Sequence, residues 1–280
     1  MTRSTVLACA CALAAAQAVR AQAPEVQVSA VTELAAVPAG GTFRVAVRLD
    51  VPEGWGVDWI NPGTTGLPLT LAWRAPAGFS AGATQWPFPE RVEAAGDVTH
   101  VLRGAVYVVT PFQVASNAKP ASAELRAELT WLLCATSCIR QERTVSVPVR
   151  VVAGAAGRTP AVATAAWGEV EAAAGSFPAM GEGVTLRAVP SADSVRLEIA
   201  GLRGAPPTGA LVTFFPAVAG RAAVVVPLRR AAEGVAVVLP EGFVAGAPPG
   251  RLTGVLVGVL VRGAAVTSRA LAVDVPVAVR

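Results

Sequence analysis

The sequence predicts an all-β protein of two β-sandwiches in tandem. Three observations lead there. Apolar residues recur at every second position in several segments, as expected of half-buried strands. The apolar runs are short and are separated by Gly and Pro, the pattern of sandwich strands joined by turns. The length of 280 residues suits two ordinary domains, each large enough for its own core.

The first clear strand is Thr42 to Asp50, with Phe43, Val45, Val47 and Leu49 on one face and Arg44, Arg48 and Asp50 on the other. Leu69, Leu71 and Trp73 repeat the alternation. So do Leu125, Ala127, Leu129 and Trp131, opposite Glu124, Arg126, Glu128 and Thr130. Val145, Val147, Val149 and Val151 form a further set, and Pro148 among them predicts an open edge. Pro-x-Gly-aromatic turns occur at Pro52–Trp55, Pro76–Phe79 and Pro240–Phe243, read as type I with Pro second and Gly fourth. The Gly-rich stretch 153–160 marks the boundary between the domains. The Ala-rich stretch 161–174 predicts a short helix, with Trp167 and Val170 spaced by three. Strands are then expected at 184–186, 195–199, 211–215, 223–228, 235–239, 252–261 and 270–279.

The N-terminus reads as an export signal. Arg3 supplies a positive start, Ser4 to Val19 is uncharged and mostly apolar, and small residues follow. Cleavage is expected after Ala18, giving a signal peptide of residues 1–18, with Ala21 and Ala23 as later alternatives. The apolar run falls short of the roughly 20 residues a spanning helix needs. Cleavage removes Cys9 and Cys11 and leaves Cys134 and Cys138 in an oxidising compartment.

Composition excludes several functions. The net charge of +4 is modest, and no basic run marks a nucleic-acid surface. Phosphate-binding glycine loops are absent. Glu90 and Glu93 read as a solvated face, and the lone His100 as a surface or packing residue. A zinc or copper site at the thiols would have only His100 and Met180 to complete it.

The compact constellation is WLLCATSCI, residues 131–139, between two strands. It places Cys134 and Cys138 at a hairpin tip, close enough to pair. A bridge over about five residues is worth about 2 kcal/mol in the chain-entropy model, against about 4.7 for a hundred-residue loop. It is a poor staple for a domain large enough to build a core. A reversible dithiol fits equally well, with Arg140 and Arg143 nearby to stabilise a thiolate. Spacing alone leaves the static bridge and the redox pair level.

The segments GWGVDWINPGTTGLPLTLAW (54–73), PAGFSAGATQWPFPER (76–91) and WLLCATSCIRQE (131–142) occur in this order. Together they resemble the N-terminal periplasmic domain of the DsbD-type thiol:disulfide interchange proteins. The likeness is to the copper-tolerance branch in particular, whose periplasmic part is longer. It covers roughly residues 30–152. The remainder, including Phe214-Phe215-Pro216, looks like the second β-domain of that longer region.

The resemblance implies immunoglobulin-like sandwiches: residues 24–152 with a redox cysteine pair, and residues 160–280 as a second domain. It implies that Cys134 and Cys138 are catalytic, with Cys138 forming the mixed disulfide. Electrons would pass from a separate membrane-embedded donor to thioredoxin-fold periplasmic partners, with no bound cofactor and no small-molecule substrate. Arg140 stands where this branch commonly has Pro, and the cysteine spacing is tighter than in the best-known branch. An aromatic cap over the cysteines is also implied, but Val98 to Tyr107 matches poorly and no residue is assigned to it. The alternatives are a non-catalytic interaction module with a static disulfide, and a copper chaperone.

Overall fold

The computed structural model describes residues 24–153, 163–202, 206–246, 250–262 and 267–278. The expected signal peptide, most of the 153–160 boundary and Val279 lie outside these residues. The described chain is two β-sandwiches in tandem, joined by one short helix.

The first sandwich uses β1 (Gln27–Thr32), β2 (Val37–Pro38), β3 (Thr42–Asp50), β4 (Gly56–Gly63), β5 (Thr70–Arg74), β6 (Phe79–Ala81), β7 (Glu90–Ala94), β8 (Asp97–Leu102), β9 (Ala105–Val114), β10 (Ala121–Cys134) and β11 (Cys138–Val152). One sheet has the order β1-β3-β9-β6. The other runs β2-β11-β10-β4-β8-β7, with β5 also on β10. The residues that alternation assigns to one face are the buried ones: Phe43, Val45, Val47 and Leu49 on β3, and Leu125, Ala127, Leu129 and Trp131 on β10. Pro148 lies where β11 has β10 as its ladder partner, since β2 reaches only Val151 and Val152. Val152 turns its backbone to β2, accepting the Ala39 N–H, so Pro148 four residues earlier turns its nitrogen to the same open side and breaks no bond to β10.

The second sandwich uses β12 (Thr185–Pro190), β13 (Ser194–Ala200), β14 (Leu211–Pro216), β15 (Val224–Pro227), β16 (Arg229–Ala231), β17 (Gly234–Pro240), β18 (Val244–Ala245), β19 (Arg251–Arg262) and β20 (Thr267–Pro276). Its sheets are β12-β13-β17-β16 and β15-β14-β19-β18, with β20 paired to β19. Between the sandwiches, the predicted helix shrinks to α1 (Trp167–Ala172) and a 3₁₀ turn at Ala173–Ser176. Thr164 instead donates its N–H to Glu33 O, which ties the extended start of this segment to the first sandwich.

The turn reading needs correction. Trp55 donates its N–H to Pro52 O and Phe79 to Pro76 O, so Pro is first and Gly third. Gly54 and Gly78 have φ of 77° and 92°, as the third position of a type II turn requires. The third copy differs, because Glu241–Phe243 winds into a 3₁₀ turn.

One apolar cluster crosses between the sandwiches. It joins Trp59, Leu69, Leu102 and Trp131 of the first to Phe215, Ala223, Val255 and Ala270 of the second. Phe215 meets Trp59 and His100 edge-on, at 6.3 and 5.1 Å between ring centroids. The two cores are therefore packed together, not strung on a linker.

Candidate functional site: a disulfide at a hairpin tip

β10 and β11 pair antiparallel from Ala121↔Val151 to Cys134↔Cys138. The hairpin is closed by Ala135-Thr136-Ser137, where Ala135 donates its N–H to Ser137 O at 3.0 Å. Cys134 and Cys138 are the last cross-strand pair. They form a disulfide with Cα atoms 4.1 Å apart. Odd-numbered residues of β10 point into the core, so Cys134 and Cys138 lie on the outer face of the sheet. Cys138 and the whole loop are exposed, whereas Cys134 is half-buried.

The asymmetry comes from β4. Gly56 pairs with Cys134 on the side away from Cys138, and Val57 pairs with Leu133. Asp58 follows on the same outer face as Gly56, opposite Val101 of β8. It is 1% exposed. The segment from Thr64 to Pro68 folds over it, and Leu67 donates its N–H to Asp58 Oδ2 at 3.0 Å. Gly66 has φ of 106°, and a Cβ there would sit 2.3 Å from Asp58 Oδ2. Only glycine lets the chain cross the carboxyl so closely. Burial pushes the Asp58 carboxyl up to about 6, and the Leu67 hydrogen bond offsets only part of that.

Of the two arginines expected near the thiols, Arg140 is exposed, on the outer face with Cys138. Arg143 points the other way and forms an ion pair with Glu25. The stretch Val98 to Tyr107 supplies no aromatic cap. Its phenol ring, Tyr107, is buried and donates its hydroxyl to Glu169 Oε2 at 3.0 Å.

His100 is a packing residue of an unexpected kind. It is fully buried on the core side of β8, and both ring nitrogens are engaged. Ala223 donates its N–H to Nε2 at 2.8 Å, so Nδ1 carries the proton and donates to Asn61 O at 2.7 Å. Asn61 in turn donates to Pro216 O and Arg221 O, at 2.7 and 2.9 Å. Met180 is exposed. Among the described residues no group of three or more His, Cys, Asp or Glu is placed to hold a metal.

Sequence reasoning passed over Asp58 and Asn61, which it quoted only inside a motif. The available signal for Asp58 was an acid between Val57 and Trp59, in a segment with no other charge.

Residues 22–149 match the family model described as thiol:disulfide interchange protein DsbD, N-terminal. Over this segment, a little under half of the chain, the protein is similar to the DsbD N-terminal domain. The DsbD N-terminal family is one of thiol–disulfide interchange, a coarse oxidoreductase class. No curated protein matches the chain. Among solved structures, the N-terminal periplasmic domain of ScsB from Proteus mirabilis is similar at 16% identity and a TM-score of 0.50. That match covers 90% of this chain and 93% of the other, so both sandwiches of the fold are shared. A type I cohesin from Pseudobacteroides cellulosolvens aligns with 48% of the chain, at 12% identity and a TM-score of 0.30. Among the described residues no helix is long and apolar enough to cross a membrane.

Proposed function

We propose that the chain is a periplasmic electron relay acting through Cys134 and Cys138. Residues 24–152 form the redox domain and residues 160–280 a second sandwich that braces it. The pair accepts electrons from a membrane-embedded donor and passes them to thioredoxin-fold partners. No cofactor is needed, because thiol–disulfide exchange moves electrons between sulfurs directly.

The observation that carries this reading is the exposed disulfide at the tip of a long hairpin, in a domain similar to the DsbD N-terminal domain. Exchange needs a sulfur that a partner thiolate can reach, and the exposure of Cys138 supports such access. A stabilising role has less support. The bridge joins strands already paired without interruption from Ala121 to Cys134. A copper-binding role has less support: among the described residues no metal-holding group of three is placed, and His100 uses both nitrogens in the interior.

The test is to trap the exchange intermediate. Reduced Cys134→Ser protein mixed with an oxidised thioredoxin-fold protein should form a mixed disulfide through Cys138, seen on a non-reducing gel. Cys138→Ser should trap far less. A wild-type bridge that resists reduced thioredoxin until the domain unfolds would mean a static disulfide.

A further inference from the structure

We propose that Asp58 is a positioning residue for the thiol pair: its buried carboxylate keeps Cys134 protonated and so leaves Cys138 as the attacking sulfur. The proposal rests on the relay reading above and names the residue that gives the pair its direction.

The geometry follows from the register. Cys134 faces Gly56, and Asp58 is two residues further along β4 on the same side of the sheet. Strand spacing and rise put the Asp58 and Cys134 Cα atoms about 8 Å apart. Gly56 has no side chain, so β4 places no group between them. Water is kept from the carboxyl by Gly66 and Leu67 above it and by buried Val101 beside it. A charge in such a place is felt further than one at the surface.

Among the described residues no ion pair forms with it, and its titration is set by burial and the Leu67 hydrogen bond. From β7, Glu90 faces Val101 and is paired with Arg103 of the β8–β9 corner. β8 presents Val101, β10 presents Leu132 and Cys134, and the segment from Thr64 to Pro68 is uncharged. Arg140 lies across Leu132 on β11, beyond the hairpin from β4 and two residues from Cys138. The disulfide thus has a buried anion on its Cys134 side, with Arg103 beyond Gly56 held by Glu90 and the Trp55 carbonyl, and an exposed cation on its Cys138 side. With its titration raised only to about 6, Asp58 remains mostly charged at neutral pH.

The consequence for exchange is an order of events. In the reduced pair, the Cys138 thiolate attacks a disulfide of the partner. A bond forms between Cys138 and one partner sulfur, and the other partner sulfur leaves as a thiolate. The Cys134 thiol then gives its proton to solvent, and its sulfur attacks that of Cys138. The Cys134–Cys138 bond forms, the second partner sulfur departs, and the two partner thiolates take up protons as their pKa values dictate. Two electrons have moved from the pair to the partner. Asp58 disfavours the Cys134 thiolate, so the first attack falls to Cys138.

The test follows Cys134 alone, in reduced Cys138→Ser protein, by alkylation rate against pH. Asp58→Asn keeps an acceptor for the Leu67 N–H and removes the charge. The Cys134 midpoint should fall by about one pH unit. Asp58→Ser should move it the same way, and the Cys138 midpoint in Cys134→Ser protein should move much less. A Cys134 midpoint unchanged in both folded variants overturns the role of Asp58 while leaving the relay intact. Reduction of the wild-type protein by thioredoxin tests the relay separately. A pair that resists it overturns the relay, and with it any role for Asp58 in exchange, even if the midpoint shifts.

Discussion

The Ala223 N–H of the second sandwich is bonded to His100 Nε2 of the first at 2.8 Å, inside a junction from which water is excluded. Because His100 also holds Asn61 O, replacing it orphans a donor and an acceptor in the interior. His100→Leu should cost about 3 kcal/mol, from two unmet polar groups at roughly 1–3 kcal/mol each. Chemical denaturation should detect the loss.

The same ring makes the junction acid-sensitive. Burial lowers His100 to about 4, Arg91 adds to this, and the bond to Asn61 opposes it. A histidine depressed in the folded state stabilises above its unfolded value near 6.5 and loses that contribution as pH falls through the folded value. Stability from His100 should therefore drain away between about pH 6.5 and 4. In His100→Leu this acid-dependent part should be missing, which denaturation midpoints across that range will show.

Asp58 has the opposite sign. Its carboxyl is raised in the folded state, so its contribution is full below the unfolded value of 3.8 and is lost as pH rises through about 6. The interval corresponds to about 3 kcal/mol as an upper figure. Asp58→Asn should stabilise the protein at pH 7.5 and much less at pH 4.5. Equal effects at both values would show that the cost is not one of charge.

Gly63 offers a purely steric check. Its φ is 98°, and a Cβ there would lie 2.1 Å from Val98 O, a backbone atom that cannot swing aside. Asn61 also accepts the Gly63 N–H, so this bend aims Asn61 at the second sandwich. Gly63→Ala should destabilise by more than about 2 kcal/mol. Gly54→Ala should cost about 1 kcal/mol, since its Cβ meets nothing and only the positive φ is strained.

What the sequence made legible depends on how many faces each strand buries. β3 and β10 have a clear inward face, so their alternation could be read directly. β9 could not, because its outer face is covered as well: Tyr107 and Val109 pack against Trp167 and Val170 of α1. β4 is buried on both faces for the same kind of reason, with the Asp58 cover on one and the core on the other. The cysteine pair was legible because its spacing is local. The His100–Ala223 bond was not, since its partners are 123 residues apart. A lone histidine in a sequence says nothing about which backbone amide it will meet.

The reduction potential of the Cys134–Cys138 pair tests the relay most directly. Folded protein would be equilibrated in thiol buffers and its free thiols counted by alkylation and mass. A potential between about −120 and −270 mV, the span of dedicated thioredoxin-fold oxidoreductases, is the predicted result. A value below about −300 mV, where structural disulfides lie, would contradict it.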